Sequence, residues 1–242
     1  MNTRVLIIGA VLFTSIAPTA QAVSGDFIHR KYESFEVVMN CEKRAVELYK
    51  AVVSSDTGNR RREEGKFQLD PSVPSECQQR STGYYGPGYH RGHLQGANTS
   101  ENTLSAYQET FFMTNVLPMT KELNVGAWHY SDQIIECLRD QGQSLIVMGG
   151  PIWDGPHSSN MTMAKHGTPI PSSLWKVIKR GEQQIAWIMP NSKASVHSTL
   201  PKWESTVEEI EKATGMELPV DLDLYRNYRP DSWYNTSGCD LK

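Results

Sequence analysis

Apolar and polar residues alternate along several stretches of the chain in ways that predict strands. Phe35–Asn40 alternates loosely, as a strand with one buried face does. Residues 44–53 fit either a helix or a strand, because their composition allows a helix while their β-branched positions favour a strand. Residues 110–116 predict a strand that Pro118 ends, and residues 144–148 predict a short buried strand.

The second half of the chain contains the clearest helix and hairpin signals. Residues 124–139 predict a helix that stops at Gly142. The apolar residues that fall near one face of this helix are Trp128, Ile134, Ile135 and Leu138. Residues 174–179 and 184–189 flank a short turn and predict a β-hairpin. Residues 206–214 predict a helix with a glycine at its C-terminal end.

Residues 54–90 are rich in turn-forming residues and predict a long irregular region. Long loops in compact domains are usually functional or held by staples, and Cys77 falls inside this one. The stretch after Pro219 is polar. The chain shows no repeat, low-complexity run or linker, so residues 23–242 are predicted to form one domain that mixes helices and strands.

The first 22 residues have the pattern of a secretory signal peptide. Arg4 supplies a positive charge, and residues 5–16 form an apolar stretch too short to span a bilayer comfortably. Ala20-Gln21-Ala22 then places small residues at a cleavage site. The alternative is a membrane anchor. We therefore predict cleavage near Ala22 and a mature domain without membrane attachment, in the periplasm or outside the cell.

The formal net charge of the whole chain is −3, and loss of Arg4 with the signal peptide would make it more negative. This charge argues against a protein that coats nucleic acid with a broad basic face. It does not argue against an enzyme that holds a few phosphates at one site. The basic cluster at residues 60–62 is followed at once by Glu63 and Glu64, which is typical of a solvated loop.

The chain contains four cysteines: Cys41, Cys77, Cys137 and Cys239. An even number in an exported chain favours two disulfides. Three pairings are open; our choice is Cys41–Cys77, which closes an N-terminal loop, with Cys137–Cys239, which ties the tail to the body. None of the four has the C-x-x-C spacing of a structural zinc site.

Two dense polar stretches, residues 89–98 and 113–128, contain residue types that suit phosphodiester hydrolysis. This reaction needs a base that deprotonates water and positive charge on the phosphate. His93 is a candidate base because an imidazole titrates near neutral pH. Arg91 could hold the phosphate with its fork of donors. Asn124 offers a neutral oxygen that suits magnesium, whose other ligands would be water and phosphate.

Each of these residues alone also has an ordinary structural explanation. Asn115 and Asn124 could be turn or cap residues, and Trp128 could be a core residue. His90 and His93 are spaced as a metal-binding pair, but no third ligand lies nearby in the sequence, which argues against zinc.

The order of the motifs favours function, because in that order the chain resembles the DNA/RNA non-specific endonucleases of the ββα-metal superfamily. The family motifs are Asp-Arg-Gly-His, Asn-x-x-Pro and Leu-Asn-x-Gly-x-Trp. Here they stand as His90-Arg91-Gly92-His93, Asn115-Val116-Leu117-Pro118 and Leu123-Asn124-Val125-Gly126-Ala127-Trp128. Further similar segments lie at residues 67–71, 149–151, 170–177 and 206–215.

The resemblance implies a role for each matched polar residue. His93 would be the general base, and Asn124 would be the direct protein ligand of Mg²⁺, for which Mn²⁺ could substitute. Arg91 would contact the phosphate or support the site, and Asn115 would orient the site beside His93. Asp132 stands eight positions after Asn124, where the family usually has glutamate, and would hold metal-bound water. Two helical turns keep these two residues on nearly the same face.

The resemblance also implies an α+β fold: a mixed, mainly antiparallel central sheet with flanking helices, and a ββα finger that carries His93 and Asn124. It implies DNA and RNA as substrates and leaves open a protein inhibitor. An upstream arginine of the family would correspond to Arg61 or Arg62, and the sequence does not choose between them.

His90 departs from the family pattern, which usually has aspartate at this position. One hypothesis is an active nuclease with an altered pH optimum. The alternative, which His90 and Asp132 both motivate, is a catalytically reduced family member that acts as a nucleic-acid or protein-binding module. The joint presence of His93, Asn115 and Asn124 favours the enzyme.

Overall fold

The computed structural model describes residues 27–54, 58, 60–84, 88–154, 167–218, 233–234, 236 and 239. Within them the strands are β1 (Phe27–Lys31), β2 (Phe35–Asn40), β3 (Ala45–Val53), β4 (His90–His93), β5 (Val116–Met119), β6 (Leu145–Ile152), β7 (Ser173–Arg180), β8 (Gln183–Pro190) and β9 (Glu204–Ser205). The α-helices are α1 (Leu104–Glu109), α2 (Trp128–Asp140) and α3 (Val207–Thr214). The predicted signal segment and most of the tail after Pro219 lie outside the described residues.

A seven-stranded sheet forms the centre of the fold in the order β1-β2-β3-β6-β7-β8-β9, and every neighbouring pair is antiparallel. β4 and β5 pair separately as a two-stranded antiparallel ribbon. Successive residues of a strand point to opposite faces. Leu174 accordingly joins the apolar cluster that includes α2, while Trp175 joins the cluster that includes α3. This arrangement confirms the predicted α+β class.

Residues 44–53, which fitted either a helix or a strand, form β3. Tyr49, Ala51 and Val53 are buried, whereas Val52 is exposed. The period of two places the buried side chains on one face, as a strand between two neighbours requires. The predicted strand over Phe35–Asn40 is confirmed as β2.

The prediction of a strand over residues 110–116 is wrong. A 3-10 turn occupies Met113–Asn115, and β5 starts only at Val116. The buried amide of Asn115 explains the turn, because it bonds the backbone around Gln95 instead of projecting from a strand.

Two predicted strand ends are also wrong. Pro118 does not end β5, because a two-stranded ribbon leaves β5 an outer edge where a missing N–H is tolerated. The strand predicted over residues 144–148 continues in β6 through Gly150. A Cβ on Gly150 would lie 2.3 Å from the carbonyl oxygen of Glu47, so this glycine permits close packing of the sheet rather than a turn.

The helix predicted over residues 124–139 has two parts, a π-helical turn at Leu123–Ala127 and then α2. Gly126, inside the π-helical turn, kinks the chain with φ −113° and ψ −106°. A Cβ there would lie 2.8 Å from the carbonyl oxygen of Ser195. Gly142, with φ 77°, follows the end of α2 as predicted. The predicted apolar face is confirmed by the burial of Trp128, Ile134, Ile135 and Leu138.

The hairpin and the last helix follow the prediction closely. β7 and β8 pair in full register around the predicted turn. Thr206 and Glu209 form a capping box at the start of α3, and Gly215 ends it in the left-handed conformation, with φ 70°. β1, β4 and α1 were not predicted; they are 5, 4 and 6 residues long, too short for a clear periodic signal.

Both disulfides have the predicted pairing, Cys41–Cys77 and Cys137–Cys239. The first ties the turn after β2 to the irregular region, and the second ties α2 to residue 239. None of the helices in the described part of the chain is long and apolar enough to cross a membrane.

Candidate functional site

The β4–β5 ribbon and the first turns of α2 border a cleft of about 660 Å³. The polar and aromatic side chains that line it are Arg60, Arg91, His93, Asn98, Glu101, Tyr107, Asn124, Trp128, His129, Asp132 and Glu136. The cleft therefore combines cationic groups with carboxylates and neutral oxygens.

His93 is the last residue of β4 and lies opposite Val116 of β5. Its ring contacts Phe67 and Phe111, with centroid distances of 4.9 Å to each, and these two rings lie 5.3 Å from one another. Its carbonyl oxygen accepts a hydrogen bond of 2.8 Å from Trp128 Nε1. The aromatic contacts fix the ring, and the indole fixes the backbone that carries it.

Asn115 lies under the cleft and does not line it, because its side chain is fully buried. Its Oδ1 accepts from the Gln95 N–H at 2.9 Å, and its Nδ2 donates to the carbonyl oxygens of Gln95 and Thr110. Its own carbonyl accepts from the Leu94 N–H. Asn115 therefore holds the two residues that follow His93 rather than contacting a ligand.

Arg91 lines the cleft from the middle of β4. Its Nη1 donates to Ser81 Oγ at 2.7 Å, and its Cζ lies 4.4 Å from the centroid of the Phe67 ring. The guanidinium keeps further N–H groups for a ligand. Gly92 packs so tightly that a Cβ would lie 2.3 Å from Met119 Sδ.

Asn124 belongs to the π-helical turn that precedes α2. Its Nδ2 lies 3.4 Å from His90 Nδ1, so the amide nitrogen faces the histidine that replaces the family's usual aspartate. An amide held by its nitrogen keeps its oxygen for another partner. His90 therefore contacts Asn124, a role that the sequence did not indicate.

Asp132 lines the cleft and bonds to a buried lysine from the sheet. Lys176 Nζ donates to Asp132 Oδ1 at 2.5 Å and lies 3.8 Å from the centroid of the Trp128 ring. Burial raises the pKa of Asp132, and the Lys176 ammonium opposes that rise. Lys176 was missed as a site residue, although a lysine within the apolar run 174–178 was the available signal.

Glu136 is a further carboxyl group in the cleft wall besides Asp132 and Glu101, one helical turn after Asp132. Burial raises its pKa to about 7, and the nearby charge of Asp132 adds to the rise. The sequence analysis missed this residue. Its spacing of four from Asp132 on one helix was the signal that could have found it.

The upstream arginines differ in their positions. Arg60 lines the cleft, and its Nη1 lies 3.5 Å from Glu64 Oε2. Arg61, one of the two predicted candidates, is exposed and does not line the cleft. The side chain of Arg62, the other candidate, lies outside the described part of the structure.

The donor set of the cleft fits a hard divalent cation. Within the described residues, no group of three or more His, Cys, Asp or Glu side chains could hold a metal ion. The amide oxygen of Asn124 and the carboxylate of Asp132 instead offer a few oxygen donors, which suits an ion that keeps several waters.

Comparisons with known proteins find similar sequences and a similar fold. A family model described as DNA/RNA non-specific endonuclease matches residues 16–223. The mitochondrial nuclease EXOG of Mus musculus is 26% identical over 218 residues, covering 83% of this chain and 59% of the relative. Nuclease C1 of Cunninghamella echinulata var. echinulata is 26% identical over 215 residues, covering 82% and 84%. Human mitochondrial endonuclease G is 27% identical over 171 residues, covering 66% and 58%.

The chain spans little more than half the length of the EXOG relatives from Mus musculus, Xenopus laevis and Homo sapiens. The crystal structure of the EndoG/EndoGI complex matches with a TM-score of 0.70 at 18% identity, covering 78% of this chain and 84% of the matched chain. At this identity the structural match concerns the fold alone.

Proposed function

The chain belongs to the DNA/RNA non-specific endonuclease family, and from this we propose that it hydrolyses phosphodiester bonds of DNA and RNA with the help of a divalent cation, Mg²⁺ or in its place Mn²⁺. The observation that carries the proposal is the cleft in which His93, Arg91, Asn124 and Asp132 meet. These side chains supply a base, a hydrogen-bond donor to the phosphate and oxygen ligands for the cation, which is what the reaction needs.

His93 acts as the general base that takes a proton from the attacking water. Its ring packs against the adjoining rings of Phe67 and Phe111, and its backbone is held by Trp128. A base fixed in this way stays oriented toward one position in the cleft, as proton transfer requires. Asn115 contributes indirectly, because it holds the backbone that follows His93.

Arg91 binds the scissile phosphate. Ser81 and Phe67 orient the guanidinium, and its remaining N–H groups can donate to phosphate oxygens. Arg60 on the same cleft adds a second positive charge. Two local arginines allow phosphate binding although the whole chain is slightly acidic.

Asn124 would hold the cation directly, and Asp132 would hold water that is bound to the cation. His90 orients the Asn124 amide through its nitrogen, which keeps the amide oxygen for the ion. Asp132 adds negative charge to the same wall. When bound, the cation stabilises the charge that develops on the phosphate and on the leaving oxygen.

The export of the protein is part of the proposal. Residues 1–22 would direct the chain to the periplasm or the medium, where the two disulfides can form. A protein inhibitor that covers the cleft is a further partner to test, because the matched crystal structure is that of the EndoG/EndoGI complex and concerns the mechanism of EndoG inhibition.

The second candidate function is a binding module with reduced catalysis, and His90 is the observation that favours it. Plasmid DNA and RNA digestion with and without EDTA separates the two. The wild type should cleave both substrates, EDTA should stop cleavage, and His93→Ala and Asn124→Ala should each lower the rate by roughly 100-fold or more.

His29→Ala is the matched control, because His29 is an exposed histidine on β1 that does not line the cleft. It should cleave at the wild-type rate. Folded wild-type protein without EDTA-sensitive cleavage, or His93→Ala with wild-type cleavage, would defeat the enzyme and favour the binding module.

A further inference from the structure

Lys176 occupies a position on β7 where the strand pattern requires an apolar side chain. Residues 174, 176 and 178 point to the same face of the sheet. Leu174 and Ile178 are fully buried there, in the cluster that includes residues of α2. Lys176 is fully buried between them. A buried ammonium is unfavourable unless it is paired, so its contacts should explain why a lysine is present.

The contacts of Lys176 reach both halves of the cleft. Its Nζ donates to Asp132 Oδ1 at 2.5 Å, and it lies 3.8 Å from the centroid of the Trp128 ring. Trp128 Nε1 in turn donates to the carbonyl oxygen of His93 at 2.8 Å. Lys176 thus contacts the Asp132 carboxylate directly, and it reaches the backbone of His93 through the indole of Trp128.

We propose that Lys176 is a positioning residue of the active site, which holds the Asp132 carboxylate at the cleft wall and braces the indole that supports His93. This inference rests on the proposed nuclease function. An apolar residue at this position would serve the fold as well or better, so the buried lysine is explained by its function.

In the ion pair, Lys176 lies in the protein interior and the Asp132 carboxylate lies at the cleft surface. The Lys176 side chain has no exposed surface, whereas 16% of the Asp132 side chain is exposed. Lys176 therefore engages one carboxylate oxygen from the protein interior while the group still borders the cleft. Other titratable groups near Asp132 are His129 and Glu136 on α2 and Tyr49 on β3.

Each partner depends on the other. Burial lowers the pKa of Lys176, and Asp132 opposes that change. A variant that lacks only one partner leaves the other charge uncompensated. A purely structural lysine would instead change stability without depending on whether residue 132 is an acid.

A double-mutant cycle tests this dependence. The variants are Asp132→Asn, Lys176→Met and the combination, assayed for kcat/KM on a fluorogenic oligonucleotide. Each single change should lower kcat/KM by roughly 100-fold, and the combination should lower it by the same factor, because both remove one arrangement. Lys179→Met, a half-buried lysine farther along β7, is the control and should leave kcat/KM unchanged.

Binding of Mn²⁺, followed by electron paramagnetic resonance, gives a readout that does not need turnover. Asp132→Asn and the combination should weaken Mn²⁺ binding by the same factor, about 10-fold. Unfolding midpoints check the fold of each variant. If Lys176→Met alone does not fold, the comparison of Asp132→Asn with the combination, which removes both charges, still tests the proposal.

Losses that multiply to roughly 10⁴-fold in the combination would mean that Lys176 acts independently of Asp132, and the inference would be wrong. Wild-type activity in Lys176→Met would also overturn it. Failure of the nuclease proposal has a different signature, since the wild type itself would then show no EDTA-sensitive cleavage.

Discussion

Asp70 and Asp132 are two largely buried carboxylates, each next to a basic side chain, and their surroundings differ. Asp70 accepts hydrogen bonds from the Tyr32 hydroxyl at 2.6 Å and from the backbone N–H and hydroxyl of Ser72 at 2.8 and 2.7 Å. Arg30 Nε lies 3.4 Å away. Burial opposes ionisation of Asp70, but these donors outweigh it and lower its pKa.

Asp132 has the opposite balance. Burial raises its pKa even though Lys176 lies at 2.5 Å. Asp70 lies away from the cleft, whereas Asp132 lines it. Asp70 is thus an anchor fixed by several donors inside the fold, whereas Asp132 is held from the interior by Lys176 and still borders the cleft.

The anchor nevertheless serves the site. Asp70 ties the segment that follows Phe67 to Tyr32 near the sheet, and Gln78 bonds the backbone of the same segment. The Phe67 ring in turn contacts the His93 ring, and the guanidinium of Arg91 lies over its face. The region around Asp70 thus fixes Phe67 beside His93 and Arg91, whereas α2 supplies the carboxyl groups of Asp132 and Glu136.

The largest expected effects come from removing disulfides, and the disulfide next to Asp70 is the one that tests the comparison. Cys41→Ser combined with Cys77→Ser should lower the free energy of unfolding by about 4 kcal/mol, because the bond closes a loop with a sequence separation of 36 residues. Urea unfolding at pH 7 measures the change. kcat of the folded enzyme should stay within about twofold, since the pair lies outside the cleft.

The matched control is Cys137→Ser with Cys239→Ser, which opens a separation of 102 residues and should lower stability by at least as much. If instead the Cys41 and Cys77 variant keeps its stability and loses kcat, the region of Asp70 would be part of the catalytic machinery and the contrast with Asp132 would fail.

A smaller effect is expected from Asp70→Asn. The variant should lose about 3 kcal/mol at pH 7, because the carboxylate accepts from Ser72 at one oxygen and from Tyr32 at the other, whereas a neutral amide has one acceptor oxygen. The folded pKa of Asp70 is lowered, so its contribution is present above the unfolded pKa and is lost as pH falls through the folded value.

Urea unfolding of wild type and Asp70→Asn at pH 7 and pH 3 checks this prediction. The difference between the two proteins should shrink at the lower pH. A difference that stays constant across this range would show that the charge of Asp70 does not stabilise the fold.

The sequence predicted those elements whose signals are local. The β7–β8 hairpin, the capped helix α3 and the apolar face of α2 depend on spacing, caps and turns within a few residues. The prediction of a strand over residues 110–116 failed because the Asn115 amide forms hydrogen bonds with the backbone of Gln95, twenty positions away. Such a contact is a property of the tertiary structure and leaves no periodic trace.

The candidate site shows the same division. Motif order identified Asn124 and Asp132 as candidates, and the structure places both at the cleft. Lys176 was missed because it reaches Asp132 from the opposite layer of the fold. Arg60 lines the cleft, whereas Arg61, one of the two predicted candidates, does not, because the orientation of side chains in an irregular segment depends on packing that a motif does not encode.

The smallest expected effect sharpens the contrast within the cleft itself and concerns Glu136. Burial first, and then the charge of Asp132, raises its folded pKa from 4.5 to about 7. A carboxyl group with a raised folded pKa stabilises the protein below its unfolded pKa, and this contribution is lost as pH rises through the folded value. Wild-type stability should therefore fall between about pH 4.5 and pH 7.

Glu136→Gln resembles the protonated form at every pH, so it should remove this decline and stabilise the protein by roughly 1–2 kcal/mol at pH 8. Urea unfolding of both proteins from pH 4.5 to pH 8 measures the effect, with Glu182→Gln, an exposed residue of the β7–β8 turn, as the control. Parallel profiles for wild type and Glu136→Gln would show that this carboxyl ionises freely in the fold. If the stability of the variant instead changes less with pH, the ionised carboxyl group of Glu136 on α2 destabilises the fold. Asp70 differs, because its ionised carboxylate stabilises the fold.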